Sequence, residues 1–98
     1  MKNTYDSHIE IFKALSDINR LYIMDLLFSS GKEGEMCAST IKKDMKISQP
    51  TLSYHMKILC GCGLVNRRKN GKWVYYSLNQ KDLQKMRGFF NSGSLPPA

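Results

Sequence analysis

The stretch "SQPTLSYHMKILCGCGLV" (48–65), followed at once by "NRRKNGKWVYYSLN", constrains the fold of this 98-residue chain more than any other part. Ser48 is a good N-cap, and Pro50 falls in the first helical turn, where its missing N–H leaves no bond unmade. Leu52, Met56 and Leu59 recur at i, i+4, i+7 and predict a buried stripe. Gln49, Ser53 and Lys57 form a second stripe at i, i+4, i+8 on another face, flanked by Thr51 and Tyr54. Gly61 and Gly63 end the helix. The period then changes. "LVNRRK" and "WVYYSL" are rich in β-branched and aromatic residues, and the "NG" at 70–71 predicts a tight hairpin between them. Such a helix has two faces to satisfy, one against a core and one against a polar partner.

The rest of the chain reads as helices. Residues 7–15 carry Ile9, Phe12 and Leu15 at helical spacing, with Ser7 as a cap. Residues 16–30 form a second helix capped by Asp17. Leu21, Met24, Leu27 and Phe28 line one side of it, and Ile23 and Leu26 widen the apolar sector, so this helix is expected at the centre of the core. "GKEGE" (31–35) reads as a loop. A short helix fits 39–46, capped by Ser39 or Thr40, with Ile41 and Met45 inward. Leu83, Met86 and Phe90 define a last helix over 79–90. The fold class is mainly α with a small β-hairpin, in the order α-α-α-α-β-β-α. It forms one domain over 1–90 with a flexible tail over 91–98. A domain this small has a poor surface-to-volume ratio, which favours an oligomer.

Charge narrows the function. The net charge is +7, unevenly spread: residues 1–40 hold four basic and six acidic residues, and 41–87 hold eleven basic and two acidic. A basic half that contains the polar-faced helix suggests a polyanion. No apolar run reaches the roughly 18 residues of a membrane span. The polar N-terminus is not a secretory signal, which places the chain in the cytoplasm. Thiols stay reduced there, so Cys37, Cys60 and Cys62 are not expected to form a disulfide framework. An enzyme is not expected. The only histidines are His8 and His55, no nucleophile–base–orienter set is visible, and "GCG" follows a helix rather than the strand a dinucleotide loop needs.

Two short helices, the second exposing small polar groups at its N-terminal end, form a helix-turn-helix. Double-stranded DNA gives this composition a reason. A helix entering the major groove presents Gln, Ser and Thr to base edges and phosphates, and its N-terminal dipole favours phosphate. The hairpin then becomes a wing with Arg67, Arg68, Lys69 and Lys72 at its tip. A protein-interaction module of the same shape is the rival class, and it needs no four-cation tip. Trp73, Tyr75 and Tyr76 read as strand residues packing the wing on the core rather than as a base-stacking platform.

"FKALSDINRLYIMDLL", "ISQPTLSYHMKILCGCGLV" and "RRKNGKWVYYSLN", in that order and spacing, resemble the arsenic-repressor (ArsR/SmtB) family of winged-helix regulators over residues 9–90. The resemblance implies a homodimer built by the first and last helices, a two-fold symmetric operator, and repression relieved by an inducer. Ile9, Phe12, Leu83, Met86 and Phe90 suit that dimer interface. The family's DNA-reading positions fall on Ser48, Gln49, Thr51, Ser53 and Tyr54. His55 is a candidate for a phosphate contact or for packing, and Lys57 for a phosphate contact.

Many family members sense soft metals through a CxC pattern entering the third helix. Cys37 holds the first position here, but Ser39, a poor soft-metal ligand, holds the second. The last helix offers one aspartate and no histidine for the zinc-type site of other members. Cys62 falls where some relatives carry a late cysteine, and Cys60 does not match its partner position. Side chains at i and i+2 of a helix diverge, so Cys60 and Cys62 converge only if the helix has ended by Gly61. With Cys37 from either subunit they would then make a three-sulfur site for As(III), Cd or Pb, and Zn is a further candidate. Thiol-redox sensing and a purely packing role stay open beside it, as does control without a small-molecule inducer.

Overall fold

Three residues, beginning with the last of the expected loop, form a strand. The structure, a computed structural model, describes residues 5–30 and 34–91. Its elements are α1 (Asp6–Leu15), α2 (Ile18–Phe28), β1 (Glu35–Cys37), α3 (Ala38–Met45), α4 (Gln49–Gly61), β2 (Val65–Asn70), β3 (Trp73–Leu78) and α5 (Gln80–Asn91). β1 pairs antiparallel with β3, Met36 opposite Tyr76, so the hairpin becomes a three-stranded sheet in the order β1-β3-β2. Glu35, expected in a loop, lies in that sheet. The tail over 92–98 and the side chain of Phe90 lie outside what is described.

The hairpin is registered from Val65 opposite Leu78 to Asn70 opposite Trp73. Its two-residue turn is therefore Gly71–Lys72, one residue later than expected. Gly71 has φ +61°, and a glycine at the first central position is what a type II′ turn demands.

Ile23, Leu27, Ile41, Leu52, Met56, Leu59 and Leu64 are fully buried and join α2, α3, α4 and the sheet in one core. Each such aliphatic side chain contributes about 1.5–3 kcal/mol by leaving water. The predicted stripe of α4 is the one found. The predicted face of α2 is found in part: Met24 and Leu27 turn inward together with Ile23, while Leu21 and Phe28 are exposed. That helix is apolar nearly all round, so its periodicity could not choose a side. In α1 the inward residues are Ile11 and Ala14, whereas Ile9 and Phe12 face outward.

Helix ends follow local chemistry. Asp17 caps α2 by accepting from the amides of Asn19 and Arg20. Two expected caps move. Tyr5 precedes α1, with Ser7 inside its first turn, and Cys37 rather than Ser39 or Thr40 stands at the N-cap of α3. α4 closes in a Schellman motif: Leu64 N–H donates to Leu59 C=O at 3.1 Å, and Gly63 N–H to Cys60 C=O at 3.1 Å. Gly63 takes φ +88° in this turn, and the chain passes from there straight into β2.

Candidate nucleic-acid interface

The Ser48 hydroxyl caps α4 by accepting from Thr51 N–H at 3.3 Å and donates to the Thr51 hydroxyl at 3.0 Å. The turn from α3 into α4 passes through Lys46 in the left-handed region (φ 56°) and Ile47, whose side chain packs against the core. This turn holds the two helices as a helix-turn-helix pair, with the polar stripe of α4 outward. Ser48, Gln49, Thr51, Ser53, Tyr54 and Lys57 are all exposed. Gln49 Nε2 donates to Ser53 Oγ at 2.8 Å. The two stripe residues thus orient one another, leaving the Gln49 carbonyl and the Ser53 hydroxyl proton to meet a partner.

Arg67, Arg68, Lys69 and Lys72 are exposed on the hairpin. They are not equivalent. Arg68 makes a two-pronged ion pair with Glu35 across the sheet, at 3.0 and 2.7 Å, and lies over the Tyr75 ring. That hydrogen bonding pulls the Glu35 carboxyl below the usual carboxylate range. Lys72 stands over the Trp73 ring, which is half exposed, while Tyr76 is buried beneath the sheet.

A groove of about 630 Å³ separates the stripe from the wing. Gln49, Ser53 and Lys57 line one wall, and Arg67, Lys72 and Trp73 the other. Lys42 of α3 reaches the same groove. Sequence reasoning missed it; the only hint was a basic pair at 42–43 in the helix before the reading helix. One candidate is corrected. His55 is 5% exposed and faces α2, where its Nδ1 lies 3.2 Å from Arg20 Nη1, so it is a packing residue and not a phosphate contact.

The three cysteines part company. Cys37 and Cys60 line the groove, whereas Cys62 lines a separate cleft with Glu10, Lys13 and Arg20. Their positions in the Schellman turn explain this, since Cys60 still belongs to the helix and Cys62 is its C-cap. Among the described residues no three His, Cys, Asp or Glu side chains are grouped to hold a metal ion. The three-sulfur site considered from sequence therefore does not fit within one chain. The thiols also differ chemically. The Ser39 hydroxyl, 3.2 Å away, with the amides of Ser39 and Thr40 and the charge of Lys42, lowers the Cys37 thiol below its usual range. Burial pushes both Cys60 and Cys62 up.

A family model described as "Bacterial regulatory protein, arsR family" matches residues 17–67, from the cap of α2 into the wing. The chain belongs to the ArsR family. Its relatives include the transcriptional repressor SdpR of Bacillus subtilis, 39% identical over 87 residues, covering 85% of this chain and 92% of that protein. The arsenical resistance operon repressor of Staphylococcus xylosus is 45% identical over 80 residues, covering 82% of this chain and 73% of that protein. A homodimeric winged helix-turn-helix DNA-binding domain from Mycobacterium bovis superposes with a TM-score of 0.71 at 24% identity, covering 96% and 87% of the two chains. The architecture is thus a winged helix-turn-helix. Among the described residues no helix is long and apolar enough to cross a membrane.

Proposed function

We propose that this ArsR-family chain is a cytoplasmic transcriptional repressor that binds a two-fold symmetric DNA operator as a homodimer. One observation carries the reading: the exposed polar stripe of α4 faces the cationic wing across a groove. Gln49, Thr51, Ser53 and Tyr54 then meet base edges or adjoining phosphates, with Ser48 at the helix N-terminus beside a phosphate. Lys57, Lys42, Arg67, Lys69 and Lys72 supply contacts that do not depend on sequence. The repressor name of SdpR and the homodimeric state of the Mycobacterium bovis domain support the same assignment.

The test is fluorescence anisotropy with duplexes from the protein's own promoter region against scrambled duplexes. Tighter binding to the promoter, relaxed by Gln49→Ala or Ser53→Ala, is the expected result. Equal binding to both duplexes overturns it, and binding indifferent to salt points to the interaction module instead.

Cys37 favours a second element, relief of repression through a thiol. It is the cysteine whose neighbours stabilise a thiolate, and it opens on the groove that faces DNA. Arsenite, cadmium, lead, zinc and peroxide, added in turn, are expected to include one that releases DNA from the wild type and not from Cys37→Ser. Release that survives Cys37→Ser, or no release by any of them, removes this role from Cys37.

A further inference from the structure

Trp73 does not do the work its place in a packed strand would suggest. Alternation along β3 turns Val74, Tyr76 and Leu78 toward the core and leaves Trp73 with Tyr75 on the other face. The indole is 48% exposed, so it does not pack the wing on the core as the sequence suggested. Its neighbour on that face is better covered. Arg68 lies over the Tyr75 ring at 4.5 Å and is held there by Glu35. The cover over Trp73 is looser: Lys72, itself exposed, stands over the ring at 5.2 Å. The residue opposite Trp73 in the hairpin is Asn70, at the mouth of the turn.

The surroundings limit what the ring can meet. Trp73 lines the groove on the wing side with Arg67 and Lys72, facing Gln49, Ser53 and Lys57. Lys42 adds a fourth cation, and none of the described residues lining the groove is acidic. Phosphate alone would answer the cations and gain little from an indole. A DNA strand offers more than phosphate. Between phosphates it presents deoxyribose, whose ring carbons are apolar, and an indole laid against a sugar takes apolar surface of both out of water. The base edges fall to the stripe of α4, which leaves the backbone to the wing.

We infer that Trp73 is a DNA-contacting residue that docks on the deoxyribose of the strand held by Arg67 and Lys72, adding affinity without adding salt dependence. This rests on the repressor reading. Cationic contacts release counterions and weaken as salt rises, whereas an uncharged ring on a sugar releases none. Sugar contacts carry no base information, so the gain serves every duplex alike. A ring that only props Lys72 behaves differently. Removing it would cost a phosphate contact, and the slope of log affinity against log salt would fall by about one.

Trp73 is the only tryptophan of the chain, so its emission reports this side chain alone. The experiment quenches that emission with acrylamide, a neutral probe, in the full wild-type chain, free and saturated with promoter duplex. Anisotropy of a dye-labelled duplex gives the occupancy. Acrylamide access is expected to fall on binding. Trp73→Ala is expected to bind promoter and scrambled duplexes about tenfold or more weakly, since roughly 100 Å² of ring per copy is no longer covered. Its salt slope is expected to equal that of the wild type. Trp73→Phe keeps a flat apolar ring and is expected to bind within about threefold of the wild type. Unchanged acrylamide access at saturation overturns the proposal. So does a salt slope that falls in Trp73→Ala as it does in Lys72→Ala, or a loss confined to the promoter duplex. If circular dichroism shows Trp73→Ala unfolded, the wild-type quenching and Trp73→Phe decide. A wild type that binds both duplexes equally is instead the failure of the repressor reading, and the quenching still decides what Trp73 touches.

Discussion

Arg68 and Lys72 sit on one hairpin with one formal charge each, yet the structure gives them different work. Arg68 is committed to Glu35 and Tyr75. Lys72 sits in the turn, beside the groove. Lys72→Ala is expected to weaken binding to all sequences alike and to lower the slope of log affinity against log salt by about one. Arg68→Ala is expected to change that slope by less, because part of its charge is already met by Glu35. Its larger effect belongs to folding. The Glu35 carboxyl is held below its ordinary range by Arg68, so the pair stabilises the fold fully above that ordinary range. The contribution falls as pH drops below it and is gone once pH passes the lowered value. Arg68→Ala therefore lowers the neutral-pH melting temperature and flattens its decline across the carboxylate range, which scanning calorimetry at a series of pH values would read. An unchanged salt slope in Lys72→Ala would remove that lysine from the contacts.

Among elements, α4 and the hairpin were the most legible in the sequence. Each signal there was local: a cap at Ser48, a strict apolar stripe, a glycine stop, a turn dipeptide. β1 was not legible, because three residues beside a Gly-rich charged stretch carry no alternation, and their strand state comes from pairing with β3. The inward face of α1 was missed and that of α2 was read only in part, because their apolar residues outnumber the core's places. Arg20 was missed as a partner of His55 because 35 residues separate them and nothing in the chain marks the pair. The same distinction between local and distant causes separates the two glycines at the end of α4. Gly61 is helical with open space where a Cβ would stand, so Gly61→Ala is expected to be neutral or to stabilise by up to about 1 kcal/mol. Gly63 holds φ +88°, and its Cβ would fall on the Asp82 carboxylate. Gly63→Ala is expected to cost about 1–2 kcal/mol from the backbone conformation alone. Urea denaturation of the two variants would order them, and equal stabilities would mean the Schellman turn is not what ends the helix.

At the scale of the whole molecule, the apolar residues left outside the core need an account. Ile18 is 81% exposed, Phe28 61% and Leu21 52%, all on α2, and Ile9 and Phe12 on α1 are also exposed. Leu83 and Met86, expected at a dimer interface, are only partly buried against their own core. If a second copy covers the apolar surface, α2 contributes to the interface together with α1 and α5. Leu21→Glu tests this. About half of Leu21 remains to be buried, worth roughly 1 kcal/mol per copy, and two-fold symmetry counts each substitution twice. Burying the new carboxylate adds to the loss, so the dimer should weaken by at least ~30-fold. Sedimentation equilibrium would show the monomer, and circular dichroism should show the helices kept, since Leu21 lies outside the core. The DNA result follows from geometry. A monomer carries one reading helix, so Leu21→Glu should lose its preference for an operator with two half-sites over one with a single half-site. A Leu21→Glu protein that stays dimeric would return the interface to α1 and α5 alone.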